Sequence, residues 1–146
     1  ELVNIDFEDL EFTKEGVKIF IKRSKTDQSG EGMIKAIPYF KDKSFCPVTF
    51  LKNWIEISKL KNGFVFNISD KMVAILIKKY LSSAGFDSKK YSGHSLRSGF
   101  ATVAAGSGAD EKSIMTMTGH KTTQMVRRYI KESNLFKNNA LKKINL

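Results

Sequence analysis

Residues 93–130 read GHSLRSGFATVAAGSGADEKSIMTMTGHKTTQMVRRYI and contain both histidines of the 146-residue chain. Glycines interrupt the stretch at Gly106 and Gly119, and a glycine directly after an apolar helical pattern is a typical helix end. Asp110 and Glu111 favour the start of a new helix between these two glycines. The stretch therefore predicts three short helices, over residues 94–105, 110–118 and 122–130.

Four side chains in this stretch have the chemistry needed to act on a phosphodiester. His94 and Arg97 are three residues apart, so they leave the same face of the first predicted helix. His120 follows the helix end at Gly119, and Tyr129 comes nine residues later. Taken singly, each is more often structural, as a helix cap, a surface ion pair, a turn histidine or a core aromatic. Together they meet the needs of one reaction, because a tyrosine hydroxyl, with an ordinary pKa of ~10, attacks phosphate only where cations stabilise the transition state.

Two further helices are predicted upstream of this stretch. Pro47 suits the first position of one helix, and Ser69 or Asp70 suits the cap of the next, which Gly85 ends. In both helices the inner residues recur at the spacing of one helical face. They are Phe50, Leu51, Trp54, Ile55 and Ser58 in the first helix, and Val73, Leu76, Ile77, Tyr80, Leu81 and Ala84 in the second.

The first third of the chain has the alternation that is typical of β-strands. A strand is predicted over residues 17–22, where three branched side chains share one face, and its partner is predicted over 33–37. The polar, glycine-containing segment 23–32 between them predicts a hairpin with an extended loop. Residues 2–12 predict a short strand or a loop that leads into the sheet. A small antiparallel sheet or hairpin is therefore expected at the N-terminus.

These elements predict an α+β fold that is mainly α-helical, with the sheet followed by a helical bundle. Only the short piece 64–66 interrupts the helical pattern after Pro38. A chain of 146 residues has room for one domain with a real core, so residues 1–146 are expected to form a single domain.

The composition favours a polyanionic partner. The chain has 25 Lys and Arg residues against 15 Asp and Glu, a formal net charge of +10, and six of the acidic residues lie in the first 15 positions. Such a charge indicates nucleic acid, although a solvated lysine-rich surface explains it equally well. Cys46 is the only cysteine, so no disulfide framework or cysteine-rich metal site is expected, which fits a reducing compartment. The longest apolar run, 72–77, is too short to cross a bilayer, so no membrane partner is expected.

The ordered set of motifs resembles the catalytic domain of the tyrosine recombinases, the phage integrase family. The resemblance rests on His94-Ser-Leu-Arg97 followed by Ser-Gly-Phe-Ala-Thr, on Gly119-His120, and on Tyr129 nine residues beyond that histidine. Upstream, Ser24-Lys25-Thr26 is similar to the segment that carries the family's β-hairpin lysine. The resemblance spans essentially the whole chain.

The resemblance implies a role for each matching residue. Tyr129 would attack the phosphate and form a 3′-phosphotyrosyl bond, while Arg97 would brace the non-bridging oxygens. His94 would assist proton transfer as a base, and His120 would donate a hydrogen bond to the phosphate. Lys25 would be the general acid toward the leaving 5′ oxygen. Neither a metal nor any other cofactor is implied, since the energy of the cleaved bond is kept in the phosphotyrosine.

The resemblance also implies partners and a location. Double-stranded DNA would be bound by a homotetramer that passes through a Holliday junction, and the tail 133–146 would dock either on a neighbouring subunit or on its own domain. A cytoplasmic, nucleoid-associated protein of a bacterium or phage is expected. The basic residues expected to contact DNA are Lys22, Arg23, Lys89, Lys90, Lys121, Arg127 and Arg128.

Two departures from the family pattern concern the N-terminus. Glu1-Leu2 is similar to the residues that directly follow the family's first catalytic arginine, so that arginine and the N-terminal DNA-binding domain are expected to lie outside this chain. A fragment of this kind is expected to fold but to cleave poorly and bind DNA weakly. Two alternatives stay open, namely a type IB topoisomerase, which uses the same transesterification, and a catalytically decayed DNA-binding or regulatory module.

Overall fold

The structure, a computed structural model, describes residues 2–22 and 32–134, with side chains as far as Lys131. The chain divides into two compact units, Glu1–Asp70 and Lys71–Leu146. The first unit contains a three-stranded antiparallel sheet and one helix, and the second consists of helices. The predicted α+β, mainly helical fold class is therefore confirmed.

The sheet of the first unit contains β1 (Leu10–Phe12), β2 (Gly16–Ile21) and β3 (Met33–Pro38), in that order and antiparallel. Its inner face alternates as predicted, with Val17 buried and Lys18 exposed on β2. Both strands predicted for the hairpin are confirmed. The hairpin loop itself, 23–31, lies outside the described residues.

Helix α1 (Pro47–Ser58) begins at the predicted proline and packs on the sheet through Val48, which is fully buried together with Cys46 and Val17. The predicted inner face was wrong at Phe50, whose side chain is 57% exposed. Burial follows residues 48, 51 and 55 instead, since Val48 continues directly from the buried Cys46 and thereby sets the face that meets the sheet. Ser58, another predicted inner residue, is exposed.

The chain after α1 returns to the N-terminal segment. The backbone N–H of Val65 donates to the Ile5 carbonyl at 2.8 Å, and both side chains are buried. Trp54, 45% exposed and therefore also outside the predicted core, donates its indole N–H to the Val65 carbonyl at 2.8 Å. The predicted non-helical piece 64–66 is thus held by an isolated bridge between Asp6 and Phe64.

The second unit contains α2 (Asp70–Ser83), α3 (Gly93–Gly106), α4 (Glu111–Thr118) and α5 (Thr123–Asn134). None of the residues of α2 is fully buried, and its predicted inner residues Tyr80 and Ala84 are exposed. The turn after α2 contains Gly85 in the left-handed conformation at φ 81°, as its predicted role as a helix stop requires.

Glycine caps the end of one of the two later helices for which this was predicted. Gly119 ends α4 at φ 72°, which confirms the prediction. Gly106 stays within α3, whose cap is Ser107, and Gly108 at φ 90° makes the left-handed turn instead. Helix α5 runs four residues further than predicted, so the first two residues of the predicted tail, 133 and 134, belong to it. The rest of that tail lies outside the described residues.

The core of the second unit joins its last three helices. Ala101 and Ala105 of α3, Ile114 of α4 and Val126 of α5 form one buried cluster. The two alanines are small, so α4 and α5 approach α3 closely at this point. Tyr129 and Ile130 pack against the same cluster. This packing places the C-terminal half of α5, which contains Tyr129, against α3 just after the first turn of α3.

Candidate active site

The start of α3 is fixed by a reciprocal cap. Ser92 is the N-cap residue, and its backbone N–H donates to the hydroxyl of Ser95 at 3.0 Å. A cap of this kind satisfies N–H groups that the first helical turn leaves without partners. His94 and Arg97 therefore lie in the first turns of a well-defined helix, and both are exposed.

Tyr129 reaches the same helix from α5. Its ring is half-buried against the core cluster, and its hydroxyl lies 3.1 Å from the hydroxyl of Ser98. Ser98 comes directly after Arg97 in the chain, although it is 31 residues away from Tyr129 in sequence. The tyrosine hydroxyl is thus held against α3 by Ser98, the residue that follows Arg97. Ser98 is not among the residues predicted from the sequence, and the available signal was its spacing of four residues from His94, on the same helical face.

His120 lies in the turn between α4 and α5, directly after the left-handed Gly119. Its ring centroid is 5.8 Å from that of Tyr129, with the two planes tilted by 44°. Its Nδ1 lies 2.6 Å from the hydroxyl oxygen of Thr118, a second residue that the sequence analysis did not identify. The imidazole is therefore held on one side by Thr118 and faces the tyrosine ring.

The electrostatic surroundings of His120 favour its neutral form. Partial burial of the ring, and the positive charge of Arg97, lower the pKa of His120 below its ordinary value of about 6.5. Desolvation is the larger of the two causes. The positive charge of Arg97 on α3 therefore reaches the imidazole in the turn after α4.

The structure thus brings together Arg97, His120 and Tyr129, three of the five predicted catalytic residues, within the second unit. His94 lies on α3, three residues before Arg97, on the face that the i, i+3 spacing predicts. Lys25 lies outside the described residues, so its predicted role stays a prediction.

Among the described basic residues that were predicted to contact DNA, Lys22 and Arg127 form the shortest ion pairs within the chain. The ammonium of Lys22 lies 2.7 Å from Asp6 and 3.0 Å from Asp9. Hydrogen bonds to Asp6 and Asp9 raise the pKa of Lys22 above its ordinary value. The guanidinium Nε of Arg127 lies 3.0 and 3.2 Å from the two carboxylate oxygens of Glu111, which joins α5 to α4.

The other predicted DNA contacts in the second unit lie on its surface. Lys89 and Lys90 are exposed in a short 3-10 turn, where the ammonium of Lys90 is 3.7 Å from Asp87. Lys121 and Arg128 are also exposed. Arg23 lies outside the described residues.

An open cavity of about 470 Å³ lies beside His120. Its lining includes Glu111, Lys112 and Thr123, so both signs of charge border the imidazole on this side. Within 2–22 and 32–134, no group of three or more His, Cys, Asp or Glu side chains is arranged to hold a metal ion. No helix in the described part of the chain is long and apolar enough to span a membrane.

Comparison with known proteins identifies the family of this chain. The phage integrase family model matches residues 1–135. An integrase/recombinase xerD homolog of Selenomonas ruminantium is 44% identical over 156 residues, covering 99% of this chain and 46% of the relative. The tyrosine recombinase XerC of Caldanaerobacter subterraneus subsp. tengcongensis is 32% identical over 139 residues, covering 92% of this chain and 38% of the relative.

The chain therefore spans less than half the length of these relatives. No solved structure gives a significant match. Since the family model covers nearly the whole sequence, and since the relatives are named recombinases, the predicted resemblance is confirmed: this chain belongs to the phage integrase family, with tyrosine recombinases among its relatives.

Proposed function

We propose that this chain carries most of the catalytic domain of a site-specific DNA recombinase, which cleaves and rejoins strands through a 3′-phosphotyrosine at Tyr129. One observation carries the proposal: the Tyr129 hydroxyl is 3.1 Å from Ser98, the residue after Arg97, while the ring of His120 lies 5.8 Å away. The hydroxyl of Tyr129 and the ring of His120 therefore lie close to each other, next to the helix that contains Arg97, and this supports the proposal. The relatives, which are named recombinases, support the same chemistry.

In this proposal the protein acts by charge and position. The guanidinium of Arg97 binds two phosphate oxygens at once and stabilises the charge that builds up on them. Because His94 lies one turn earlier on α3, its imidazole joins Arg97 at the helix N-terminus, where N–H groups favour an anion. The tyrosine loses its proton to an imidazole, and Lys25 protonates the leaving 5′ oxygen. The reaction reverses when a 5′-hydroxyl of another strand attacks the phosphotyrosine.

Duplex DNA is the proposed substrate, and its backbone meets the exposed basic side chains of the second unit, Lys89, Lys90, Lys121 and Arg128. Lys22 and Arg127 contribute less, because their ion pairs with carboxylates are short, at 2.7 and 3.0 Å, whereas Lys90 lies 3.7 Å from Asp87. Four subunits act together on DNA in this proposal, and the tail 133–146 docks on a neighbouring subunit or on its own domain.

We also propose that the chain by itself cleaves slowly. The family's first catalytic arginine is expected before Glu1, and loss of one transition-state contact costs about 10²–10³ in rate. A test of this proposal requires a protein that contains the upstream sequence. We therefore design a chimera in which this chain replaces the matched part of the Selenomonas ruminantium relative, and the rest of the relative is kept.

A nicked suicide substrate, which traps the covalent intermediate, tests the function. We expect the chimera to form a protein–DNA adduct and the chain alone to form at least tenfold less. Tyr129→Phe, which removes only the hydroxyl, should abolish the adduct in both proteins. Tyr80→Phe is the matched control, since Tyr80 is 68% exposed on α2 and should leave adduct formation unchanged.

Three outcomes would contradict the proposal. An adduct that persists in Tyr129→Phe would assign the nucleophile elsewhere. Salt-sensitive DNA binding without any adduct in the chimera would indicate a regulatory DNA-binding module instead. Relaxation of supercoiled DNA without strand exchange between two sites would favour the topoisomerase alternative.

A further inference from the structure

An ion pair between Arg127 and Glu111 joins the last two helices of the second unit. The guanidinium Nε of Arg127 on α5 lies 3.0 and 3.2 Å from the two carboxylate oxygens of Glu111. Glu111 is the first residue of α4, whereas His120 lies in the turn after its other end. The two helices are therefore connected by a directional contact at a distance from the turn that links them in sequence.

Arg127 and Tyr129 extend from opposite flanks of α5. Successive residues of an α-helix are rotated by about 100° around its axis, so residues two positions apart differ by about 200°. Val126 lies between these flanks, and its side chain is fully buried in the core cluster. On one flank, the hydroxyl of Tyr129 contacts Ser98 on α3. On the other flank Arg127 contacts Glu111 on α4, so α5 has a polar contact on each side of its buried centre.

Apolar contacts hold α5 at few points. Among the described side chains of this helix only Val126 is fully buried, while Tyr129 and Ile130 are half-buried. A tyrosine hydroxyl lies roughly 8 Å from the helix axis, so a rotation of about 10° moves it by roughly 1.4 Å. A displacement of about 1 Å at a reacting group can cost about 10²-fold in rate. A contact that fixes this rotation therefore matters for a nucleophile on α5.

We propose that Glu111 and Arg127 are positioning residues, whose ion pair fixes the rotation of α5 and so keeps the Tyr129 hydroxyl on α3 for attack on phosphate. This inference rests on the proposed function. It also gives Arg127 a task other than the DNA contact expected from the sequence, since its guanidinium is directed toward α4. The Arg127 side chain is exposed, and an exposed pair adds little to stability, so loss of the pair should leave the chain folded.

Glu111→Gln distinguishes this inference from a second interpretation of the ion pair. If the pair positions α5, the variant should cleave more slowly, although its affinity for DNA is unchanged or higher because a negative charge has been removed. If Glu111 only shields Arg127 from DNA, the variant should bind DNA more tightly and cleave at least as fast. The two interpretations therefore predict opposite changes in the cleavage rate.

The position of Tyr129 can be measured in the chain without any catalysis. Its ring centroid is 5.8 Å from that of His120, close enough for a nuclear Overhauser effect (NOE) between ring protons. The chain has four tyrosines and two histidines, so few ring signals have to be assigned. We expect Glu111→Gln and Arg127→Met each to reduce this NOE by about twofold or more. Glu56→Gln, which removes the same charge from an exposed position of α1, is the control and should leave it unchanged.

A charge swap tests whether attraction between the two side chains is what positions α5. Glu111→Arg and Arg127→Glu each place like charges on the facing helices and should weaken the NOE. The double variant restores opposite charges without changing the net charge, and we expect it to recover most of the NOE. A general structural role of either residue would not produce this recovery. Circular dichroism checks the fold of each variant, and Arg127→Met supplies the measurement if Glu111→Gln does not fold.

Single-turnover cleavage by the chimera tests the consequence for the nucleophile. At saturating nicked DNA we expect Glu111→Gln to lower the rate of adduct formation by roughly threefold to tenfold, less than the ~10²-fold cost of a full 1 Å displacement. The charge-swapped double variant should recover the rate. The Kd for the same DNA, measured by fluorescence anisotropy, should not increase in Glu111→Gln, so the loss lies in the maximal rate. Glu56→Gln should change neither quantity.

The results separate failure of this inference from failure of the proposed function. An unchanged NOE in folded Glu111→Gln and Arg127→Met would overturn the inference, whether or not the chimera cleaves DNA. An unchanged or faster cleavage rate in the Glu111→Gln chimera would also overturn it. A chimera that never forms an adduct would instead refute the proposed function, and a weakened NOE in Glu111→Gln would then still show that the ion pair holds Tyr129 in place.

Discussion

At the scale of single residues, the hydrogen bond between Ser98 and Tyr129 is the contact that most directly concerns the nucleophile. The two hydroxyls are 3.1 Å apart, and the bond holds the end of the tyrosine ring on α3. We expect Ser98→Ala to slow adduct formation by the chimera several-fold, since the oxygen that attacks phosphorus is then less well oriented.

The same substitution should cost little stability, about 0.5–1.5 kcal/mol, because a half-buried hydroxyl regains water when its partner is removed. Thermal unfolding of the chain measures this cost. Ser82→Ala, at an exposed position of α2, is the control and should change neither quantity. An unchanged adduct rate in Ser98→Ala would mean that the hydrogen bond does not orient the nucleophile.

The lowered pKa of His120 also predicts a pH dependence of stability. Since the folded state binds this proton less tightly than the unfolded state, protonation favours unfolding. The destabilisation is absent above the unfolded pKa of about 6.5 and grows as the pH falls from there toward the lowered folded pKa. We expect the urea midpoint of the chain to fall between pH 7.5 and pH 5.5.

His120→Gln should remove part of that fall, because glutamine does not titrate. His94→Gln is the matched control, since it removes the other histidine of the chain and should leave the fall in place. Equal slopes in the unsubstituted chain and in His120→Gln would contradict the prediction.

Sequence reasoning at this scale identified residues by chemical type and spacing. His94, Arg97, His120 and Tyr129 stand out because rare side chains recur around predicted helix ends. Ser98 and Thr118 did not stand out, since serine and threonine are common and their partners lie on other elements or across a turn. Their contacts depend on how α3, α4 and α5 pack, which spacing alone does not determine.

At the scale of elements, the pairing of β2 with β3 depends on one glycine. Gly16 lies opposite Pro38, and a Cβ at this position would be 2.1 Å from the carbonyl oxygen of Ile37. Because that neighbour is backbone, the strands must separate to admit a methyl group. We expect Gly16→Ala to destabilise the chain by about 1–3 kcal/mol, in the range of other overpacking substitutions.

Gly99→Ala is the control for this substitution. Gly99 lies within α3 and a Cβ there would meet no atom within 4 Å, so alanine should be neutral or should stabilise by about 0.5–1 kcal/mol through helix propensity. Chemical denaturation of both variants measures the difference. Similar midpoints for the two would mean that β3 is free to shift away from Gly16.

The ends of helices were predictable where a residue type is suited to only one position in a helix. Pro47 begins α1 and Gly119 ends α4, because proline lacks an N–H and glycine accepts a left-handed backbone. Either Gly106 or Gly108 could make the left-handed turn after α3. The sequence pattern favoured Gly106, but Gly108 has the positive φ. The inner face of α1 was also misjudged, since Phe50 looks like a core residue until the burial of Cys46 and Val48 decides which side meets the sheet.

At the scale of the whole chain, charge is distributed in a way that composition does not reveal. The first unit pairs Lys22 with Asp6 and Asp9, and so uses part of its basic charge internally. In the second unit Lys89, Lys90 and Lys121 extend from short turns into solvent. Net charge favours a polyanionic partner, whereas the surface that would meet it depends on how closely each basic residue pairs with a carboxylate.

Binding of the chain to duplex DNA tests this distribution. Replacing Lys89, Lys90 and Lys121 together with glutamine should weaken binding and reduce the slope of log affinity against log salt by about 2–3, since each lost phosphate contact contributes about 0.9. Lys41, Lys43 and Lys59, which are exposed in the first unit, form a control triple with the same loss of charge. Fluorescence anisotropy between 50 and 200 mM salt measures both. If DNA binds at a local surface, the substitution of Lys89, Lys90 and Lys121 should reduce the affinity and the salt slope more than the control triple does. Equal reductions in the two variants would mean that DNA binding depends on net charge alone.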